Sequence, residues 1–190
     1  GSYTCAEHGP QVAPPREVAD LEAGRYDHRC PVCGDPLAWS LVDEGARPDP
    51  HSAYAASKLA QEHYASAWAR QADGGVVALR YHNVYGPGMP RDTPYSGVAA
   101  MFRSSLERGD QPQVFEDGRQ LRDFVHVTDV AAANLLAIES DCGGFDTFNV
   151  ASGEPHTVGA LAAAIAKQPP LAVQGPPEVI VATEALNDMQ

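Results

Sequence analysis

A long Ala-rich segment that leads directly into a short apolar run most constrains the fold of this chain. The segment begins at Ser52, which can cap a helix, and continues to about Gln71, after which residues 73–75 (Asp-Gly-Gly) end it. Residues 76–79 (Val-Val-Ala-Leu) follow as a continuous apolar run with β-branched side chains. Such a run is typical of a parallel strand that is buried on both faces. The two elements together predict an α/β fold.

The rest of the chain continues this alternation. Helical spacing of apolar residues predicts one helix that ends at Gly109 and another that Thr157 caps. The apolar faces of these helices are Val98, Met101, Phe102 and Leu106 in the first, and Val158, Leu161, Ala162 and Ile165 in the second. Residues 117–118 (Asp-Gly) predict a hairpin between 114–115 and 121–127. Thr128 is expected to cap a helix, and residues 179–181 are a candidate strand.

The negative charge of the chain disfavours negatively charged binding partners. The formal net charge is −12 over 190 residues, which disfavours nucleic acid and anionic membranes because like charges repel. No apolar run approaches the length of a membrane span, and no signal peptide opens the chain. We therefore expect a cytoplasmic protein with no membrane partner.

Tyr54 and Lys58 are the first candidate catalytic residues. Four residues along a helix place two side chains on one face, one turn apart, so the phenol and the ammonium can reach the same site. A nearby ammonium favours the phenolate, which makes a tyrosine usable as a general acid or base near neutrality. The spacing alone is weak, since an exposed lysine beside a half-buried tyrosine has the same pattern.

Four segments, in order, resemble the extended short-chain dehydrogenase/reductases, and more narrowly their NAD-dependent nucleotide-sugar epimerases and dehydratases. The first two segments are residues 50–62, which contain the Tyr-x-x-x-Lys pair, and residues 80–87 (Arg-Tyr-His-Asn-Val-Tyr-Gly-Pro). The third, residues 114–130, is similar to the family's clamp for a nucleotide diphosphate. The fourth is Phe-Asn-Val-Ala-Ser-Gly at residues 148–153.

The resemblance implies the second half of an extended Rossmann-type domain with a substrate-binding subdomain. The predicted division is an insertion at residues 1–45, the catalytic helix and following strand at 46–90, and mostly the nucleotide-sugar-binding subdomain, with returning Rossmann elements, at 91–190. The Gly-rich dinucleotide fingerprint is absent from the sequence. Because the family's catalytic Ser or Thr is expected before residue 1, neither Ser2 nor Thr4 is assigned that role. We expect a fragment or a natural truncation.

The resemblance also implies roles around the cofactor NAD. Tyr54 is the acid/base that removes a sugar hydroxyl proton, while Lys58 supports it and holds the ribose hydroxyls next to the nicotinamide. Tyr81 and His82 are matched to the nicotinamide pocket. Ordinary packing at the end of a strand is the alternative for these last two residues.

Two further residues are matched to the substrate. Asn83 corresponds to a position that hydrogen-bonds the diphosphate or the sugar, with a turn-forming Asn as the alternative. Arg122 corresponds to the diphosphate clamp, where a planar guanidinium can donate two hydrogen bonds to phosphate oxygens. A surface Arg in a hairpin is its alternative. Asp123, His126 and Asp129 are expected to organise the same loop.

The function implied is that of an NAD-dependent epimerase or dehydratase acting on a nucleotide-diphosphate sugar. We favour 4-epimerase-like chemistry, and the resemblance suggests a homodimer. A different class of function stays open, namely a truncated, catalytically silent relative that acts as a zinc-stabilised binding or partner protein. The missing dinucleotide fingerprint and the missing third catalytic residue support that alternative.

A cysteine–histidine cluster lies within residues 1–50, which otherwise read as loop around a small local unit. Cys5-x-x-His8 and Cys30-x-x-Cys33 give the ligand types that tetrahedral Zn²⁺ prefers, and Cys-Pro-x-Cys-Gly is typical of a zinc knuckle. A metal here could replace a missing hydrophobic core. We expect a structural zinc, because four protein ligands leave no open position for catalysis. Free thiols, a Cys30–Cys33 redox pair and His28 in place of His8 are the alternatives.

Overall fold

The structure, a computed structural model, describes residues 2–90, 96–167 and 180–182. Packing groups them into two units that each combine segments distant in sequence. Unit 1 contains the described residues of 1–42, 98–121 and 156–189, and unit 2 contains those of 43–97 and 122–155. The predicted division into three consecutive segments stays a prediction.

The helices within the described residues are α1 (Val18–Glu22), α2 (Ala53–Ala72), α3 (Val98–Glu107), α4 (Val127–Glu139) and α5 (Val158–Ala166). The strands are β1 (Ser2–Cys5), β2 (Gly9–Gln11), β3 (Ala38–Ser40), β4 (Gly75–Tyr81), β5 (Asn83–Tyr85), β6 (Gln113–Phe115), β7 (Leu121–Arg122), β8 (Phe124–His126), β9 (Gly144–Val150), β10 (His156–Thr157) and β11 (Ile180–Ala182). None of the helices described is both long and apolar enough to cross a lipid bilayer.

Unit 2 is built on parallel strand pairs. β4 pairs with β9 from Gly75 opposite Gly144 to Tyr81 opposite Val150, and β5 pairs with β8. The predicted parallel strand is therefore present. It is half-buried rather than buried, because among the described strands only β9 pairs with β4.

The helix α2 begins and ends at the residues that the sequence indicated. The Ser52 hydroxyl oxygen accepts a hydrogen bond from the backbone N–H of Ala55 at 3.1 Å, which satisfies one of the free N–H groups of the first turn. Asp73, with a φ of 49°, adopts the left-handed conformation that ends the helix. This well-defined start fixes the first two turns of the helix, in which Tyr54 and Lys58 lie.

Unit 1 has a small apolar core between α3, α5 and β6. Its buried members are Phe102, Val114, Val158 and Ala162, and the partly buried residues against them are Val98, Leu161 and Ile165. The predicted faces are thus confirmed except at Met101, which is 44% exposed. The predicted cap is also confirmed, since Thr157 Oγ1 accepts from the backbone N–H of Ala160 at 3.1 Å.

Residues 2–42, which we call the Cys/His lobe, contain more regular structure than the sequence indicated. The stretch from Gly1 to Thr4 was expected to be a loop, but β1 begins at Ser2 and lies between β2 and β3 in an antiparallel sheet. Tyr3 stands opposite both Gln11 and Trp39. The strands are too short and too exposed to give the alternating pattern by which a strand is recognised in sequence.

Three local predictions beyond the lobe need correction or restriction. The hairpin across residues 117–118 was wrong, because β6 pairs in parallel with β11 and β8 pairs with β5. The cap of α4 is His126 rather than Thr128, since the imidazole accepts the backbone N–H of Thr128. Of the candidate strand at 179–181, Val179 lies outside the described residues, and β11 begins one position later.

Candidate functional site

The Tyr54 and Lys58 side chains lie together on the first turns of α2. The Lys58 Nζ atom is 5.5 Å from the centroid of the Tyr54 ring, which is within the range of a cation–π contact. Both side chains are exposed, Tyr54 to 69%. The sequence prediction that the phenol and the amine share one helical edge therefore agrees with the geometry.

An ion pair that the sequence analysis missed ties α2 to β4. Arg80 donates from Nε and Nη2 to the two carboxylate oxygens of Glu62, at 2.8 and 2.7 Å. The hydrogen bonds from Arg80 hold the pKa of the Glu62 carboxyl below its usual value. The signal was an arginine directly after an apolar run in a predicted strand. Because α2 carries Tyr54, this ion pair positions the helix over the sheet.

Glu44 joins the same neighbourhood of unit 2. Its Oε1 atom accepts the backbone N–H of Asn149 on β9 at 2.8 Å, and its backbone carbonyl lies 3.4 Å from Arg80 Nη1. The Asn149 N–H holds the pKa of the Glu44 carboxyl below its usual value. The carboxylate is thus a fixed acceptor at the edge of β9.

Tyr81 and His82 stand at the end of β4. The Tyr81 hydroxyl donates to Asn134 Oδ1 on α4 at 2.9 Å, and the Tyr81 side chain lines a shallow, open pocket of about 260 Å³ with Val77, Leu79 and residues of α4. The backbone N–H of His82 donates to the Val150 carbonyl at 3.0 Å, and the imidazole is exposed. Since neighbouring residues on a strand face opposite sides, Tyr81 lies on the side opposite Arg80.

Asn83 and Asp123 form a fixed junction between two strands. The backbone N–H and the side-chain Nδ2 of Asn83 both donate to the Asp123 carbonyl at 3.0 Å. The Asp123 carboxylate accepts the N–H and the hydroxyl of Ser152, at 2.7 and 2.9 Å, and the N–H of Gly153, at 2.8 Å. Burial alone would raise the pKa of Asp123, but these hydrogen bonds outweigh it and hold the pKa below its usual value. The Asp123 carboxylate thus organises the loop that follows β9, whereas the sequence analysis placed its role in the loop around Arg122.

Arg122 immediately precedes this anchored aspartate. It belongs to β7, and its side chain is exposed. It directly precedes Asp123, which is 8% exposed and whose carboxylate accepts hydrogen bonds from Ser152 and Gly153 in the loop after β9. The guanidinium therefore projects from a rigid segment. Together with Tyr54, Lys58, Tyr81, His82 and Asn83, Arg122 belongs to unit 2.

Gly86 lies beside this junction and is required by close packing. Its φ is 140°, and a Cβ atom there would come within 2.6 Å of a Val127 methyl carbon. The His126 ring packs edge-on against Tyr85, with 5.2 Å between ring centroids. Asp129 lies in the first turn of α4, where a negatively charged carboxylate interacts favourably with the positive end of the helix dipole. His126 and Asp129 thus serve the start of α4.

The Cys/His lobe brings together the cysteines and the histidine that the sequence singled out. The ligand atoms of Cys5, His8, Cys30 and Cys33 all lie within 4.8 Å of one another. Cys5 Sγ is 3.4 Å from His8 Nδ1 and 3.6 Å from Cys33 Sγ, and Cys30 Sγ is 3.8 Å from His8 Nδ1. His28 is outside the cluster and its ring packs on Tyr3. Between the two candidate histidines, the geometry therefore favours His8.

The pKa values of the Cys30 and Cys33 thiols depend on neighbouring groups of the cluster and of its backbone. A hydrogen bond from the backbone N–H of Cys33 is the main cause that lowers the pKa of Cys30. The N–H of Asp35 by itself lowers the pKa of Cys33, but burial and the neighbouring Cys5 and Cys30 side chains outweigh it and raise that pKa to about 12. The pKa values of Cys30 and Cys33 are therefore shifted in opposite directions.

Comparison with known proteins places these residues in a family. The family model described as "NAD dependent epimerase/dehydratase family" matches residues 32–151. The dTDP-L-rhamnose 4-epimerase of Burkholderia thailandensis is 34% identical over 151 residues, which are 80% of this chain and 40% of that protein. Both the α/β fold and the resemblance drawn from the sequence are thereby supported.

Solved structures give the same result. The UDP-N-acetylglucosamine 4-epimerase of Methanobrevibacter ruminantium, in complex with UDP-N-acetylmuramic acid, matches with a TM-score of 0.63 and 32% identity, over 74% of this chain and 47% of that one. The UDP-glucose 4-epimerase of Thermus thermophilus, in complex with NAD, matches with a TM-score of 0.56 and 33% identity, over 75% and 51%.

The chain thus spans about half, or less, of the length of the relatives that it matches. The match nevertheless runs through the Tyr-x-x-x-Lys helix, the β4–β5 segment and the Asp123 junction in one continuous range. We conclude that the chain belongs to the NAD-dependent epimerase/dehydratase family and has an α/β fold similar to that of the Rossmann-type short-chain dehydrogenase/reductase epimerases.

Proposed function

We propose that this chain is the substrate-side part of an NAD-dependent 4-epimerase that acts on a nucleotide-diphosphate sugar. The observation that carries the proposal is the Tyr54 phenol beside the Lys58 ammonium on an exposed helical edge. Three of the relatives that this chain matches are 4-epimerases, of dTDP-L-rhamnose, UDP-N-acetylglucosamine and UDP-glucose. These relatives support the chemical class, whereas the particular sugar is a matter for experiment.

In this proposal Tyr54 moves the proton. Its phenolate takes the proton of the sugar's 4-hydroxyl and later returns it, and the ammonium of Lys58 stabilises the phenolate in between. The two groups are one turn apart on a capped helix, so little motion is needed to bring them to the substrate. The Arg80–Glu62 pair holds that helix on β4 and acts as a positioning device.

The donor set fits the cofactor that the family implies. Lys58 and Tyr54 offer an ammonium and a hydroxyl to the ribose hydroxyls of NAD, and Tyr81 and His82 offer an aromatic ring and an imidazole at the end of β4, for the nicotinamide. NAD is present in the Thermus structure that this chain resembles. When bound, NAD would supply a reversible acceptor for the hydrogen on the sugar's carbon 4.

The substrate's diphosphate is assigned to Arg122 and Asn83. A guanidinium fits two phosphate oxygens at once, and Arg122 extends from a backbone that Asp123 anchors. The Asn83 amide has one N–H committed to the Asp123 carbonyl, which fixes its orientation and leaves its oxygen for a sugar or ribose hydroxyl. The Cys/His cluster has no part in this reaction.

The test uses the longest natural chain that contains this sequence, with NAD and with dTDP- and UDP-linked sugars. We expect interconversion of a pair of 4-epimers, followed by NMR. Tyr54→Phe should lower kcat by at least about 100-fold, because it removes the general acid/base group. The matched control is Tyr64→Phe, on the same helix and 78% exposed, which should leave turnover unchanged.

Two outcomes would contradict the proposal. Turnover of Tyr54→Phe equal to that of Tyr64→Phe would refute the acid/base assignment. If no nucleotide sugar is converted and saturating NAD causes no thermal stabilisation, the enzymatic assignment falls, and the catalytically silent alternative takes its place.

A further inference from the structure

The Cys/His lobe has almost no apolar core. Within residues 2–42 the buried residues are Cys5, Leu21 and Cys30, so two of the three belong to the cysteine–histidine cluster. Large apolar side chains of the lobe are instead exposed, among them Val12 at 77%, Val32 at 66% and Leu41 at 63%. A segment of this size does not keep a fixed fold on so little buried apolar surface. Something other than hydrophobic burial has to hold it.

Three of the distances in the cluster are close to those of a tetrahedral metal site, and all the ligand atoms lie within 4.8 Å of one another. With Zn–S bonds of about 2.3 Å and Zn–N bonds of about 2.0 Å, tetrahedral geometry separates two sulfurs by about 3.8 Å, and a sulfur from a nitrogen by about 3.5 Å. The separations between Cys5 and Cys33 sulfurs, 3.6 Å, and between Cys5 Sγ and His8 Nδ1, 3.4 Å, are close to these values. The cysteines are free, and a gap of 3.6 Å is far longer than a disulfide bond.

The backbone is shaped in the same way around both ligand pairs. Gly9 follows His8 with a φ of 67°, and Gly34 follows Cys33 with a φ of 79°. In the second turn the N–H of Gly34 donates to the Cys30 carbonyl at 2.9 Å, and the N–H of Cys30 donates to the Asp35 carbonyl at 2.8 Å. Glycine is needed at each position because the backbone must reverse there in the left-handed region. Each turn therefore presents its pair of ligands to one point.

The lobe is joined to the rest of unit 1 by an ion pair between the partly exposed Arg16 and the buried Glu116. Arg16 donates from Nη2 and Nη1 to the two carboxylate oxygens of Glu116, at 2.6 and 2.9 Å, and Nη1 also lies 3.3 Å from the Tyr26 carbonyl. Glu116 is 5% exposed and has a φ of 57°, which is unfavourable for a residue other than glycine. Without Arg16, this buried carboxylate just after β6 would lose its charged partner.

We infer that Cys5, His8, Cys30 and Cys33 bind one Zn²⁺ ion that serves as the core of the lobe and thereby holds Arg16 against Glu116. This role goes beyond the proposed reaction and does not depend on it. The ion completes a closed site of three thiolates and one imidazole, so its function is structural. The family match begins at residue 32, and three of the four ligands lie before it. The site therefore lies mostly outside the range that the family model matches.

The first experiment measures the metal in the purified protein. We expect about one zinc per chain by elemental analysis, and tetrahedral Cys₃His bands when Co²⁺ replaces it. Cys33→Ser should lose most of the zinc, whereas Cys142→Ser, which changes the cysteine outside the cluster, should keep it. Less than about a fifth of an equivalent of zinc in the unmodified protein, or a Cys30–Cys33 disulfide in its place, would overturn the site.

The second experiment tests what the ion holds, and it uses the unmodified chain so that no variant has to fold. Chelation should increase amide hydrogen exchange in residues 2–42 and around Glu116 by at least about tenfold, and added Zn²⁺ should restore protection. The matched variant is Arg16→Met. With zinc bound, it should show faster amide exchange around Glu116 than the unmodified chain. After chelation, the exchange around Glu116 should be the same in the two proteins. Unchanged exchange in the lobe after complete zinc removal would refute the structural role, and full protection around Glu116 would refute the link through Arg16.

Discussion

The Cys/His lobe and unit 2 reach a fixed fold by different physical means. In unit 2, the parallel strands β4 and β9 share seven paired positions, and hydrogen-bonded carboxylates fix the segments beside them. In the lobe, the strands are three or four residues long, and the buried positions are mainly cysteines. A long paired strand brings distant segments together by itself, whereas short strands need a covalent or metal crosslink.

The difference shows that two regions of one chain can be stabilised by separate sets of interactions. The residues assigned to chemistry all lie in unit 2, and their positions depend on strand pairing and on Glu62, Arg80 and Asp123. If zinc holds the lobe as we infer, the stability of the lobe does not come from the strand pairing of unit 2. It follows that variants of unit 2 should change stability without changing zinc content, and the predictions below use that independence to test the comparison.

The largest predicted loss of stability comes from a substitution at Gly75, where β4 begins. A Cβ atom on Gly75 would overlap the backbone carbonyl of Cys142, which cannot rotate away as a side chain could. We expect Gly75→Ala to lower the free energy of unfolding by about 3 kcal/mol, at the upper end of overpacking effects. The measurement is urea unfolding, with zinc content determined in parallel.

Gly143→Ala is the matched control for this substitution. Nothing lies within 4 Å of a Cβ atom there, and the change should have little effect on stability. Both variants should retain the zinc of the unmodified protein. If Gly75→Ala released zinc as completely as Cys33→Ser, the two regions would not be independent, and the comparison would be wrong.

The next effect concerns Asp123 and has a definite pH dependence. Asp123→Asn removes an ionised acceptor from the N–H groups of Ser152 and Gly153, so we expect a loss of about 2 kcal/mol at pH 7. The pKa of Asp123 is lower in the folded protein than its usual value. Its contribution is therefore fully present above the unfolded value, about pH 4, and is lost as the pH falls through the folded pKa.

The check on Asp123 is the difference in unfolding free energy between the two proteins across the acid range. That difference should stay constant from about pH 7 to pH 5 and shrink below about pH 4. A difference that stays the same down to about pH 3 would show that the carboxylate charge does not contribute, and that only the shape of the side chain matters.

Sequence reasoning succeeded where a local rule fixes a residue's role. Ser52 and Thr157 cap helices as predicted, because a hydroxyl before a helix satisfies a free N–H whatever surrounds it. The Cys-x-x-His and Cys-x-x-Cys pairs converge because each lies on a single turn. Tyr54 and Lys58 share an edge because helix geometry requires it.

The misses have a common physical cause, which is that the segments in contact lie far apart in sequence. The Asp-Gly turn at 117–118 suggested a hairpin, but β6 pairs with β11 more than sixty residues later. The Met101 position has the right spacing for the core, yet the covering side chains do not extend to it. The Arg16–Glu116 pair joins residues 100 positions apart, and no local pattern signals it.

The smallest predicted effect is the coupling energy between Arg80 and Glu62, the ion pair that joins α2 to β4. Arg80 and Glu62 are 28% and 22% exposed, so solvent screens their attraction only in part. A double-mutant cycle with Arg80→Met and Glu62→Gln should give a coupling energy of about 1 kcal/mol at pH 7, as expected for a bidentate, half-buried pair. Since the pKa of Glu62 is lowered in the folded state, the coupling energy should decrease below about pH 4.

The exposed pair Arg103–Glu107, on α3 in unit 1, is the control, and its coupling energy should be less than about half as large. Equal coupling in the two pairs would mean that Arg80 contributes no more than a surface charge, and α2 would then owe its position to the packing of its apolar side chains on β4 and β9.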